Sequence, residues 1–282
     1  MKKERFDFAF ALGSGCACSR LLRERGLQFA SFPLDWVGNP SYDSGVSDGI
    51  RRTADLIAAD FAGWFERDAL VRVPKYDTPL DEAYFDGASR FYFAHDFKPG
   101  GDFATSYPKV REKFDRRIAR FGKLLAAARK ILVLWISDPR DDGEVSAEDA
   151  EYVREVLARR YPGKDFFVLA FSCRVGTLSG RGDVVKCGGF ELHAFDYRLD
   201  TEGKRTWEIR SELIGPFLDG YSVRDYRSSA EKREGRRLAR RREYAKFKAN
   251  GFWQCLARKV QYKLYRSLKR RLEHKGVLKG LE

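Results

Sequence analysis

The feature that most constrains this chain is a helical pattern that runs directly into an unbroken apolar segment. From Tyr107 to Lys130, Val110, Phe114, Ile118, Phe121, Leu125 and Ala128 recur at spacings of three and four, and the other face is rich in Lys and Arg. That spacing predicts an amphipathic helix over 107–130. Ile131-Leu132-Val133-Leu134-Trp135-Ile136-Ser137 follows with no polar alternation, as a strand in the interior of a sheet requires.

The flanking segments repeat this alternation. Phe6 to Leu12 is a short apolar run that ends in Gly13-Ser14-Gly15, and Cys16 to Arg25 suits a helix closed by Gly26. Gly49 to Phe65 suits a helix carrying Ile50, Leu56, Ile57, Phe61 and Trp64. Ser89 to Phe97 suits a strand with Phe91, Phe93, His95 and Phe97 on one side. After an acidic loop over Asp138–Glu144, Ser146 followed by Glu148 and Asp149 marks a helix start. Asp165 to Phe171 reads as a strand, and Val184–Cys187 with Phe190–Arg198 as a hairpin around Gly188-Gly189. Strand–helix–strand succession predicts an α/β or α+β fold, a central mixed sheet with flanking helices.

Charge divides the chain in two. Residues 223–282 hold 20 Lys and Arg against 6 Asp and Glu, a balance of +14, so the net charge of +13 leaves residues 1–222 at −1. We therefore expect a domain over 1–222 and a basic, amphipathic helical tail over 223–282. Beyond a break at Asn250-Gly251, Trp253, Leu256, Val260, Leu264, Leu268 and Leu272 fall at helical spacing among Arg258, Lys259, Lys263, Arg266, Lys269 and Arg270, an interfacial pattern. The tail is expected to meet an anionic membrane surface, with nucleic acid as the lesser alternative. The first residues fail as a lipoprotein signal because Asp7 interrupts the apolar run, and no stretch reaches a membrane span of about 18 apolar residues. The expected setting is cytoplasmic, peripheral at the inner membrane face.

Five cysteines, Cys16, Cys18, Cys173, Cys187 and Cys255, have no framework spacing and predict no disulfide scaffold. Neither a metal nor a cofactor is expected, because no second Cys or His pair has zinc-site spacing. A phosphatase loop fails because the sixth position after Cys16 is Leu22 and after Cys18 is Glu24. Gly13-Ser14-Gly15-Cys16-Ala17-Cys18 begins like a dinucleotide fingerprint, but Cys18 replaces its third small residue. Cys16 remains the candidate nucleophile, since the first turn of a helix offers free backbone N–H groups to an oxyanion; the alternative is a small buried residue in a glycine turn. Of three histidines, His95 beside Asp96 and His193 are candidate bases, and His274 lies in the tail.

Leu12-Gly13-Ser14-Gly15-Cys16, Leu21-Leu22, Gly26-Leu27, Ser31-Phe32-Pro33-Leu34-Asp35-Trp36 and Phe93-Ala94-His95-Asp96-Phe97 together resemble a bacterial family of papain-like cysteine peptidases, over about residues 6–200. The resemblance implies a papain-like-related fold, Cys16 as nucleophile, His95 as base, and Asp96 or Asp35 as orienting acid. Gly13, Ser14, Gly15 and Trp36 would then line the binding site. Gly15 departs from the family pattern, which carries Asn there, and no Gln lies a short distance upstream. Asp35-Trp36 has a plainer reading, a loop anchored by a buried indole with Asp35 satisfying turn backbone groups.

Three functions follow. The first is a cysteine hydrolase or acyltransferase acting on a peptide, amide or ester bond. The second is a phosphate- or nucleotide-sugar-binding protein of surface-polysaccharide assembly at the membrane face, using the glycine turn. The third is a non-enzymatic binding protein with a nucleic-acid-binding tail.

Overall fold

The structure is a computed structural model that describes residues 3–13, 15–38, 48–137, 144–175, 184–197 and 213–250. It divides into two compact units, Met1–Asp225 and Tyr226–Glu282.

In the first unit, β2 (Phe8–Gly13), β6 (Lys130–Ile136), β7 (Asp165–Val175) and β9 (Phe190–Tyr197) run parallel in that order, and β8 (Val184–Cys187) adds antiparallel to β9. This is the mixed central sheet expected from the apolar runs. Its pleat sorts the side chains. Ala9, Ala11, Leu132, Leu134, Ile136, Leu169 and Phe171 are buried against Cys18, Leu21 and Leu22 of α1 (Gly15–Glu24) and Ile214 and Leu218 of α5, residues 213–218. From the other face Phe8 and Phe10 meet Phe121 of α3 (Phe103–Ala127) at centroid distances of 5.8 and 5.0 Å. α4 (Ala147–Arg160) packs beside α2 (Gly49–Ala58), joined to it by Arg51–Asp149 at 2.5 Å and by Tyr152 donating to Asp55 at 2.9 Å. Ser146 caps α4 in a reciprocal box with Asp149. A short parallel ribbon, β1 (Glu4–Phe6) with β10 (Tyr221–Val223), completes this part.

A second sheet was not foreseen from the sequence. β3 (Leu70–Arg72), β4 (Glu82–Asp86) and β5 (Tyr92–Phe97) form an antiparallel meander. It is held by an aromatic cluster, with Phe114 of α3 5.1 Å from Trp64, 4.7 Å from Phe65 and 5.4 Å from Phe93. Phe61 bridges this cluster to the central sheet, 5.3 Å from Trp64 and 5.9 Å from Phe121. The helix expected over 49–65 stops at Ala58 for this reason. Asp60, Phe61 and Phe65 take positive φ of 52°, 60° and 59°, which unwinds the chain and turns three aromatic side chains into the cluster. Asp86, fully buried, accepts from the N–H groups of Phe65, Ala88 and Ser89 and so holds the unwound segment to the β4–β5 turn. α3 itself starts four residues earlier than expected, at Phe103, because Asp102 caps the N–H groups of Ala104 and Thr105.

In the second unit, α6 (Ser229–Asn250) carries Arg233, Arg236, Arg237, Arg240 and Arg241 along a shallow basic cleft of about 350 Å³. The tail residues Trp253, Arg258, Lys259, Lys263, Arg266, Lys269 and Arg270 lie outside the described residues, as do His274 and Cys255. Among the described residues no helix is long and apolar enough to cross a membrane.

Phe114 is 0% exposed and sits in the aromatic cluster that holds the meander, against Trp64, Phe65 and Phe93. Phe114→Ala should cost about 3–5 kcal/mol in denaturant unfolding; a loss under about 1 kcal/mol would show that the meander cluster does not depend on this ring.

Candidate functional site

The first helix begins just past the carboxyl end of an edge strand, and two glycines make that transition. Gly13 has φ +129°, and a Cβ there would lie 3.4 Å from the Trp135 ring. Gly15 has φ +58° with open space around it, so its restriction is conformational rather than steric. Asn tolerates that left-handed conformation better than other side chains, so glycine and Asn are the residues this turn accepts most readily. Ser14 lies outside the described residues.

Cys16 is the second residue of α1, half-buried, with a free thiol. Its thiol has no hydrogen-bond partner among the described residues. The first N–H groups of α1 have no partners within the helix and surround this position. Cys18 is a contrasting case: it is fully buried in the core and its Sγ donates to the Gly13 carbonyl at 2.7 Å. Two residues apart on a helix, the two thiols face different directions and cannot share a ligand. Among the described residues no group of three His, Cys, Asp or Glu could hold a metal ion.

His95 lies on β5, with its side chain 48% exposed. The sequence reading put it on one side with Phe93 and Phe97; the structure separates them. Glu82 pairs with Phe97 while Tyr84 pairs with Phe93, so two residues of β4 oppose four of β5 and residues 94–96 bulge. Phe93 and Phe97 stay buried, and the imidazole turns outward. There it meets the Trp36 indole edge-on at 6.3 Å, and its Nδ1 is 3.8 Å from Asp81 Oδ2. Asp96 pairs instead with Lys113 of α3. The carboxylate beside His95 is therefore Asp81, which no local motif marks.

Asp35 is buried and holds the loop that follows α1. Its Oδ2 accepts from Arg23 Nη2 at 2.6 Å, Gln28 Nε2 at 2.7 Å and the Phe32 N–H at 3.0 Å. Burial raises its pKa, with Arg23 acting in the opposite direction. The indole of Trp36, φ +70°, is only half-buried, so the anchor of this loop is the carboxylate and not the ring. Arg23 lies seven residues after Cys16, on the same face of α1, and Asp35 precedes the Trp36 that meets His95. Cys16 and His95 are thus tied to one loop from opposite ends, with no hydrogen bond between them. His193 is 1% exposed, stacked 5.0 Å from Phe171 and bonded through Nε2 to Glu191 at 2.6 Å, a histidine enclosed in the core.

Fold and site together describe an α/β protein with an accessible cysteine on a strand-to-helix turn. Residues 7–176 match the family model described as "putative papain-like cysteine peptidase (DUF1796)", and the chain belongs to that family. The match runs from the start of β2 to the end of β7 and contains Cys16, Asp35, His95 and Asp96; it is shorter than the 6–200 expected. No curated protein and no solved structure matches the chain.

Lys113 is the titratable group of this region most changed by its surroundings. Burial first, then the like charge of Arg117, bring its ammonium down to about 8, with Asp81 opposing. Because the folded value lies below the ordinary 10.5, the buried charge opposes folding fully below about pH 8, and that cost fades as pH approaches 10.5. Relative to Lys113→Met, the parent should gain stability between pH 7 and pH 10; a constant difference in denaturation midpoint would contradict this. At the turn, Gly15→Ala should cost about 1–2 kcal/mol for the left-handed residue and Gly15→Asn less, and equal losses would remove the conformational explanation.

Proposed function

We infer that the protein is a cysteine hydrolase or acyltransferase in which Cys16 attacks a peptide, amide or ester carbonyl. The observation that carries this reading is a half-exposed, unbonded thiol on the first turn of a helix, at the carboxyl end of a parallel strand. As the sulfur–carbon bond forms, the thiol proton passes to His95 and the carbonyl oxygen becomes an oxyanion facing the first N–H groups of α1. His95 then gives that proton to the departing amine or alcohol as its bond to carbon breaks. A thioester is left for water or another acceptor. Asp81 lies on the Nδ1 side of His95 and serves as the orienting carboxylate, so Nε2 handles the proton. His95 is preferred to His193 because a base must reach its substrate, and His193 is enclosed and bonded. The missing thiol–imidazole hydrogen bond is compatible with this role, since catalytic contacts in free enzymes often close only around a bound substrate.

Cys187 supplies an internal control, being free and more exposed than Cys16. An electrophilic thiol probe at pH 7 should label Cys16 faster than Cys187, with sites mapped by mass spectrometry. His95→Ala should slow labelling of Cys16 without changing that of Cys187. Labelling of Cys16 at or below the rate of Cys187 would remove it as nucleophile, and an undiminished rate in His95→Ala would remove the base.

A further inference from the structure

Two guanidinium groups hydrogen-bond the loop at residues 31–35, and a third acts on its carboxylate through space. Arg23 donates to Ser31 Oγ at 3.0 Å as well as to Asp35, and Arg120 of α3 donates to the Ser31 carbonyl at 3.1 Å. Arg117 lies one turn before Arg120 on α3 and within electrostatic reach of Asp35 and Arg23. It is half-buried, with its guanidinium carbon 5.5 Å from the centre of the Phe114 ring, and it has no hydrogen bond or ion pair to any described residue.

The local charges do not cancel. Among the described residues the carboxylate of this cluster is Asp35, and its hydrogen bonds run through one oxygen to Arg23, Gln28 and Phe32. Of the neighbouring cations on α3, Arg116 is matched by Glu112 and Lys113 by Asp96. Arg23 and Arg117 act on Asp35, and Arg120 binds the same loop through the neutral Ser31 carbonyl, so three guanidinium groups share one carboxylate and about two positive charges are left over. Burial, and then Arg23 and Arg120, push the Arg117 pKa down, with Asp35 opposing. A half-buried cation among like charges is unfavourable in the free protein and becomes favourable once an oxyanion shares the site. The planar guanidinium fork fits phosphate and carboxylate alike. A surplus of about two charges matches a phosphate monoester, which carries about −1.5 to −2 at pH 7, better than a carboxylate.

We propose that Arg117, flanked by Arg23 and Arg120, receives a phosphate monoester group carried by the substrate. Placement of this group beside the reacting bond rests on the reading of Cys16 and His95 given above, through Asp35-Trp36, whose indole meets His95. Anion binding itself needs neither residue.

Inorganic phosphate is the probe, added to the full chain at ionic strength held constant with chloride, and read by thermal shift. Arginine modification by phenylglyoxal, mapped by mass spectrometry, locates it. Phosphate should raise the melting temperature and protect Arg117, and Arg117→Gln should weaken the response about tenfold or more. Protection on the unmodified sequence keeps the test valid if that variant folds poorly. Cys16→Ala should respond as the parent does, so an intact response alongside failed thiol labelling would leave the anion site standing and defeat the hydrolase reading. Protection confined to the α6 arginines would overturn the proposal. So would no shift beyond the chloride control, or an equal response to acetate.

Discussion

The aromatic seam along α3 is the contact on which the rest of the first unit depends. Phe121 presses on Phe8 and Phe10 of the central sheet, and Phe114, two turns earlier, presses on Trp64, Phe65 and Phe93 of the meander. One helical stripe therefore serves two sheets whose strands do not hydrogen-bond to each other. The cost is conformational. Residues 60–65 must leave the helix, with left-handed backbone at Asp60, Phe61, Gly63 and Phe65, and Asp86 compensates by accepting three N–H groups in a buried position. Because α3 fixes both layers, it also sets the distance between the strand that ends at Gly13 and the strand that carries His95.

The loop after α1 does comparable work beside the candidate site. It is held by a buried carboxylate with three donors, a connection that joins the helix bearing Cys16 to the indole beside His95. The order of the loop and the position of the indole are consequences of the same bonds.

Much of the central sheet was legible in the sequence because its signals are local. The apolar run at 131–136, Ser146 with Asp149, and the Gly188-Gly189 hairpin each declare themselves within a few residues. Cys16 was legible as a candidate for the same reason, as the residue directly after Gly13-Ser14-Gly15. The meander was not: β3 and β4 are short and lack a clean alternation, and they exist because Phe114 and Trp64 give them a surface to lie on. Asp81 and Arg117 were equally hidden, since the first matters only through a strand that passes it and the second through a loop packed against α3. One trace of Arg117 was present: it stands three residues after Phe114 and four before Phe121, a cation inside an apolar stripe.

The bulge in β5 has a consequence for how such a site can change over time. Phe93 and Phe97 keep their pairing with β4 independently of the side chain at position 95, which stands outside the ladder. Selection acting on the exposed imidazole is thereby uncoupled from selection acting on the core. A lineage could replace His95, or extend the bulge by a residue, without passing through an unstable intermediate, and the same scaffold could carry a different group at the same mouth.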